Sequence, residues 1–388
     1  PRDIEKIEYH DAPSGKYAKD KLVVNFITKQ YRYGGYVQAD GLQTIGYDHG
    51  DYNVATNYVK GNNSYTVFAG ANYSHVDGTE TWNNENYQFP QSLFDRESYS
   101  RNSYRNHQEY MQFRYQNQKG KRYWVGKFTL VNLSTPRNAS SGFARESIET
   151  DVFSNIRKKS LSPKIDLNAN LPLSKNQTLT LGVHGKYSAN SYHRLYQEQP
   201  FEAMTDEDEK ALSFQLSAIY NYFSQKHSLS VELFHYHDVW NADYSGNCEL
   251  WQHLWKGESL AFFSYNFQAS RRLSLKTRIG LDWLQYHLHG DNSFSQLSPR
   301  INTNVQYQLN KGMLLWSFNF MNSNHGMDVI NRAMIQVNSH MMEKGMPELK
   351  KSHDINTYLY YMGRFNRLSV SAIGQFRYNH HPVTDDYY

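Results

Sequence analysis

Residues 301–310 alternate without a break. Ile301, Thr303, Val305, Tyr307 and Leu309 fall on one side, and Asn302, Asn304, Gln306, Gln308 and Asn310 on the other. After Asn310-Lys311-Gly312, a second run sets Leu314, Trp316, Phe318 and Phe320 on one side. A period of two is the signature of a β-strand, and a Gly-containing turn between two such runs makes a hairpin. Alternating segments also flank Gly61-Asn62-Asn63, Gln118-Lys119-Gly120, Ser174-Lys175-Asn176, Ser224-Gln225-Lys226, Ser270-Arg271-Arg272 and Gly363-Arg364-Phe365-Asn366. Between these hairpins lie stretches rich in Asn, Ser, Gly, Asp and Glu: 82–98, 135–160, 195–208, 239–257, 290–297 and 325–351. They read as long irregular loops, whereas the first connection, near Asp48 to Asp51, is short.

The expectation is therefore an all-β chain of about fifteen strands running up and down, with short turns at one end and long loops at the other. Sandwiches and propellers do not segregate their turns in this way, but membrane barrels do. Several strands exceed the ~5–6 residues usual in soluble proteins and reach the ~9–11 needed to cross a bilayer obliquely.

Composition bears on where the apolar faces go. Hydrophobic residues make up 39% of the 388, while aromatics reach 15% and include 32 Tyr. Disordered chains are poor in aromatics, so this one folds, yet it is short of aliphatic residues for a soluble core of its size. The faces then divide between lipid and a wet interior. Ile301, Val305, Leu309, Leu167, Leu181 and Leu216 are expected outward, with Asn302, Gln306, Asp166, His184 and Gln215 lining the lumen. Tyr110, Phe113, Tyr115, Tyr123 and Trp124 cluster about one turn, and Tyr220, Tyr222 and Phe223 about another, where an interfacial aromatic belt would sit. A large soluble β-protein with one solvated face shares the same period.

Several function classes receive no support. No run approaches the length of a transmembrane helix. The net charge of +4 is spread along the chain, so no nucleic-acid partner is expected. Cys248 is the single cysteine, which excludes an intrachain disulfide and a cysteine metal cluster; it reads as an inert loop residue. G-x-S-x-G, H-E-x-x-H and P-loop patterns are missing, so no catalytic residue and no cofactor is assigned, and enzymatic activity is not expected.

The first thirty residues differ in character. Ile4-Glu5-Lys6-Ile7-Glu8-Tyr9 and Leu22-Val23-Val24-Asn25-Phe26-Ile27-Thr28-Lys29 read as two short strands joined by a loop holding Pro13, Ser14 and Tyr17. The I-E-x-I-E strand, the P-S-x-x-Y loop and the V-x-N-x-I-T-K strand resemble the end of the plug domain of TonB-dependent outer-membrane receptors. The residues carrying that motif are Pro13, Ser14, Tyr17, Asn25, Thr28 and Lys29. Asp20-Lys21-Leu22 stands where the family usually has a Gly pair. The remainder is similar to the Bacteroidetes-type barrels of that family, through Ser298-Pro299-Arg300-Ile301-Asn302 and Gly345-Met346-Pro347-Glu348-Leu349-Lys350. Met346 and Lys351 depart from the G-N-P-x-L-K-P pattern.

The resemblance implies a transmembrane up-and-down antiparallel β-barrel, preceded by the last plug strands. Residues 1–30 would end the plug and 31–388 would form a barrel incomplete at its C-terminus. About fifteen of about 22 strands would be present, with about seven more beyond Tyr388 and the front of the plug before Pro1. It implies a bacterial outer-membrane location and TonB-dependent uptake of a scarce nutrient: iron chelate, cobalamin, glycan or peptide. Partners would be TonB, outer-membrane lipid and lipopolysaccharide, a surface lipoprotein and the nutrient. A passive porin and a secreted glycan-binding adhesin are the alternatives.

Candidate binding residues come from residues 237–258. Trp240, Tyr244, Trp251 and Trp255 read as loop aromatics that could stack on sugars or flat ligands, or rest on loop neighbours or at the outer leaflet. His235 with His237, and His287 with His289, form H-x-H pairs, each on one strand face. No carboxylate or thiolate has matching spacing, so no metal site is assigned. The acidic run Thr205-Asp206-Glu207-Asp208-Glu209 reads as a solvated loop or as a site for divalent cations at the lipopolysaccharide surface.

Overall fold

The computed structural model describes residues 4–10, 23–28, 33–89, 92–291, 293–323, 326, 329–347 and 352–380. Near the N-terminus, β1 (Ile4–His10) pairs antiparallel with β2 (Val23–Thr28) as a separate two-stranded sheet. A large sheet begins with β3 (Tyr33–Thr44), β4 (Asp48–Lys60), β5 (Asn63–Phe89), β6 (Ser92–Lys119) and β7 (Arg122–Arg145). It continues through β8 (Glu149–Ser174), β9 (Gln177–Glu198), β10 (Phe201–Phe223), β11 (His227–Gly246) and β12 (Leu250–Gln268). β13 (Leu273–Leu288), β14 (Phe294–Leu309) and β15 (Gly312–Ser323) follow. A connection containing the small hairpin of β16 (Met334–Gln336) and β17 (Met342–Lys344) leads to β18 (Ser352–Phe365) and β19 (Leu368–His380). The sheet has fifteen strands, all antiparallel to their neighbours, with β3 and β19 at opposite edges.

Tight turns gather at one end of this meander because successive connections of an antiparallel sheet alternate between ends. Two-residue turns join Lys60 to Asn63, Lys119 to Arg122, Ser174 to Gln177, Leu309 to Gly312 and Phe365 to Leu368. The first two place Gly61 and Gly120 at φ of 60°. That positive value suits the turns whose twist matches the flanking strands. Neighbouring turns are tied together: Gln118 N–H donates to the Asn62 carbonyl at 2.8 Å, and Arg364 N–H to that of Lys311 at 2.7 Å.

The register arranges the faces into rows. Leu171, Leu179, Tyr220, Val231, Phe263, Ile279, Ile301 and Phe320 are successive cross-strand partners across eight strands. One residue along, Thr178, Asn221, Ser230, Ser264, Arg278, Asn302 and Asn319 form the corresponding row on the other face. Side chains alternate across a sheet, so one in-register row is apolar and the next polar. Leu167, Leu181 and Leu216 fall on the apolar face and are exposed, while Asp166, His184 and Gln215 are mutual partners on the polar face.

The long loops expected at the other end are a correction. Residues 82–98, 135–160, 195–208 and 239–257 lie mostly in strands: β5 and β6 run for 27 and 28 residues and meet across two intervening residues. The acidic run 205–209 is likewise inside β10, paired with both neighbours. A ladder does not need an apolar face once both faces are wet. Backbone hydrogen bonds and polar cross-strand pairs extend these hairpins past the length that crosses a bilayer. Asn102 Nδ2, for example, donates to Thr81 Oγ1 at 2.9 Å. Residues 324–351 remain a long connection, carrying β16 and β17.

Ile279 sits in the middle of the apolar row, 47% exposed. Ile279→Arg is expected to cost about 2–4 kcal/mol for a lipid-facing position near the bilayer midplane. Asn304→Arg, on the polar face, should be close to neutral. Urea titration of the protein folded into lipid would compare them, and equal tolerance would count against a lipid contact.

Candidate functional site

The polar face changes character at the end away from the tight turns. Ala242, Tyr244, Leu254, Leu284, Tyr286 and Leu288 share the parity of the polar row, yet they form a buried apolar cluster. What covers them is the connection between β15 and β18, whose Ile330 and Ala333 complete the cluster at 2% exposure each. This strap is fastened at its base by Arg332. Its backbone N–H donates to Gln252 Oε1 at 2.7 Å, and its Nε donates to Asp291 Oδ2 at 2.5 Å. Farther on, Arg194 of β9 donates to the Gln336 carbonyl at 3.2 Å, so the hairpin β16–β17 lies across several strands of the polar face.

The strap's tip meets a charged network. Arg96 of β6, 7% exposed, reaches Glu146 beyond β7 at 2.7 Å and Glu198 of β9 at 2.8 Å. Tyr196 Oη and Ser339 Oγ each donate to Glu198 Oε2 at 2.8 Å. His340 Nε2 lies 2.8 Å from Glu146. Burial pushes the Glu198 carboxyl up, but the bonds from Ser339, Tyr196 and Arg96 outweigh it and hold the group below its ordinary value. Beside the network is a half-open cavity of about 200 Å³, lined by Glu146, Ile148, Glu198, Phe201, Ser339 and His340. It offers both hydrogen-bond acceptors and apolar wall to a small polar solute.

The four expected aromatics occupy two strands instead of one loop, which is the second correction. Trp240 and Tyr244 lie on β11 and Trp251 and Trp255 on β12, joined by a three-residue turn holding Cys248. Their register separates them by face. Tyr244 is buried, with its hydroxyl donating to Glu207 at 3.1 Å, and the Lys256 ammonium sits 5.3 Å from the Trp240 ring centre. Trp251 and Trp255, paired with Asp243 and Val239, belong to the opposite face. Trp251 is half exposed against His289, and Trp255 Nε1 donates to His237 at 3.1 Å. His235 and His287 turn to Ser259 and Ser293. Of the plug motif, Asn25 and Thr28 lie in β2 opposite Glu8 and Ile4, while Pro13, Ser14, Tyr17 and Lys29 fall outside the described residues.

The sequence reasoning did not find Arg96, Tyr196, Glu198 or the strap. Glu198 carries the one signal that could have pointed there, a carboxylate next to the turn residues Gln199-Pro200.

No family model and no curated protein matches the chain. Solved structures do. The copper transporter OprC superimposes with a TM-score of 0.55 at 11% identity over 93% of this chain and 56% of its own. The chain shares its fold, a long up-and-down antiparallel β-sheet of the barrel type, with OprC. The alcaligin outer-membrane receptor FauA from Bordetella pertussis gives 0.47 at 12% identity, covering 91% of this chain and 53% of its own. The ferric yersiniabactin uptake receptor FyuA from Yersinia pestis gives 0.45 at 9%, covering 92% and 63%. The chain thus spans between half and two thirds of the length of these proteins.

The network at the strap tip makes a pH prediction. A carboxyl with a lowered pKa contributes stability that is present above its unfolded value and lost as pH falls through the lowered one. Protection of the amides at 337–341, measured against their intrinsic exchange rate at each pH, should hold as pH falls to the ordinary 4.5 of Glu198 and drop only below it. Arg96→Met, which leaves buried Glu198 without its cation, should loosen the tip by about 3–5 kcal/mol at neutral pH. Exchange unchanged in this variant would show that the network does not hold the strap.

Proposed function

We propose that the chain is the barrel and plug end of an outer-membrane receptor that takes up a scarce nutrient in a TonB-dependent manner. The observation that carries this reading is the pair of in-register rows. An apolar row across eight strands suits a hydrocarbon environment, and a polar row directly behind it suits a wet lumen. The likeness in fold to OprC supports the same class. In this reading residues 1–30 end the plug, with Asn25 and Thr28 in the strand that leads toward β3, and 31–388 belong to the barrel.

The two edges bear on barrel closure. β3 and β19 each have a strand neighbour on one side among the described residues, and unpaired N–H and C=O groups in hydrocarbon cost several kcal/mol apiece. Further strands pairing with β3 and β19 would close the sheet into a Bacteroidetes-type barrel of about 22 strands. TonB would engage the plug, lipopolysaccharide the outer leaflet, and a surface lipoprotein the extended hairpins. In this reading Trp240, half-buried on the face shared with the strap, would meet a solute in the lumen, Tyr244 beneath the strap would support it from behind, and Trp251 and Trp255 on the other face would meet lipid or a partner.

OprC is a copper transporter, FyuA takes up ferric yersiniabactin and FauA is an alcaligin receptor. Iron chelate, cobalamin, glycan and peptide all remain within the proposed nutrient class. No catalytic role is proposed.

A passive porin is the rival, and energy dependence separates the two. Expressed with the strands that complete its barrel, the protein should migrate as a heat-modifiable species and support growth on its nutrient only in cells with TonB. Growth that persists without TonB would make it a porin. A form that stays soluble without detergent would favour the secreted adhesin.

A further inference from the structure

We propose a zinc site midway along the longest hairpin, formed by His75 of β5 and His107 of β6. The two imidazoles share the apolar face, near the margin where apolar residues give way to charge: Met111 is followed on that face by Glu109, His107 and Arg105. Their Nε2 atoms stand 3.4 Å apart, and their ring centres 5.1 Å apart with the planes at 72°. Two nitrogens bound at about 2.0–2.1 Å to one tetrahedral ion stand about 3.3–3.4 Å apart, with ring centres about 5.2 Å apart. A straight N–H···N hydrogen bond of the observed length would put the centres about 5.7 Å apart, and such a bond would be long. Both separations match a shared ion, whereas a direct Nε2–H···Nε2 bond of this length has to be bent to bring the ring centres to 5.1 Å.

The surroundings fix the rings for this role. Asp48 Oδ2 lies 2.8 Å from His75 Nδ1. A proton held there leaves Nε2 as a lone pair, the carboxylate–histidine arrangement that orients metal-binding imidazoles. The register of β6 and β7 shifts between Arg105 and His107, and that of β5 and β6 between Asp77 and Thr79. Bulges re-aim side chains, and these two flank the pair. Among the described residues no group of three or more His, Cys, Asp or Glu gathers for a metal, so this is a two-histidine site whose remaining positions are filled by water. Arg105, opposite His75 in the register, is a like charge beside it. Imidazole ligands favour zinc and its transition-metal neighbours over magnesium or calcium. A bound ion would cross-link β5 and β6 where the hairpin leaves the apolar band.

Equilibrium dialysis against zinc, with the full chain in detergent micelles, tests the site. His75→Gln and His107→Gln should each remove one zinc equivalent or weaken it at least tenfold, while His237→Gln and His289→Gln leave that equivalent in place. Asp48→Asn should weaken it about 10–100-fold through the lost orienting contact. Arg105→Gln should tighten it. Zinc should also slow hydrogen exchange in 76–89 and 92–104 of the unaltered chain but not of His107→Gln. Circular dichroism identical to that of the unaltered chain would establish that each variant is folded. Zinc titrations that are the same for the unaltered chain, His75→Gln and His107→Gln would overturn the site. So would an equivalent lost equally in His237→Gln.

Discussion

The cross-strand backbone ladder is the interaction on which everything else in this protein depends. Each interior strand has a bonded neighbour on either side, and wherever both ladders run its N–H and C=O groups are satisfied without help from side chains or solvent. That leaves the side chains free to be chosen face by face. The ladder also fixes register, and register turns isolated alternations into continuous rows: Val231, Phe263, Ile279 and Ile301 are neighbours because three separate pairings agree. A one-residue slip anywhere would carry Arg278 and Ser264 onto the apolar side. Tight turns such as Gly61-Asn62 prevent that slip by allowing only one closure of the hairpin.

The parts of the fold legible in the sequence are those in which one face is apolar and the other is not. Residues 301–320 show this, as do the turns at Gly120 and Asn310. The extensions beyond were read as loops because they carry no such contrast. Asn83-Asn84-Glu85-Asn86 has no period, yet it lies in β5, paired residue for residue with β6. Hydrophobic periodicity reports burial, and a strand wet on both faces has none to report. The same blindness grouped Trp240, Tyr244, Trp251 and Trp255 as one loop. Once 239–257 is two strands, parity sends them to different faces. The strap was hidden for another reason: Ile330 and Ala333 are core residues only because Leu254 and Leu288, far away in sequence, complete the cluster.

The polar wall is dense with compensated charge. Glu232 is 1% exposed and takes a 2.8 Å bond from Arg278, whose guanidinium lies 3.4 Å from the centre of the Phe262 ring. Asp282, fully buried, is bonded by Arg300 Nε at 2.9 Å, and Arg300 also reaches Glu258 at 3.4 Å. Lys127 meets Asp166 at 2.8 Å, and Lys256 meets Asp238 at 3.7 Å. A buried carboxylate survives in the ionised form because a cation and hydrogen bonds replace its water. These groups therefore belong to the wall's construction.

Pairing has a consequence for any solute inside. Opposite charges a few ångströms apart leave little net field at longer range, and salt in the lumen screens what remains. Where charges pair in this way the wall does not concentrate one sign of ion, and Glu207 with Glu209, which repel each other on the same face, are an exception. In the proposed receptor, discrimination would then fall to the end away from the tight turns, where the Glu198 network, the adjoining cavity and the strap present a fixed arrangement of acceptors, hydroxyls and apolar surface. Recognition in that reading would be short-ranged and set by shape, and it would depend on Ser339 and His340 staying where Arg96 and its two carboxylates hold them.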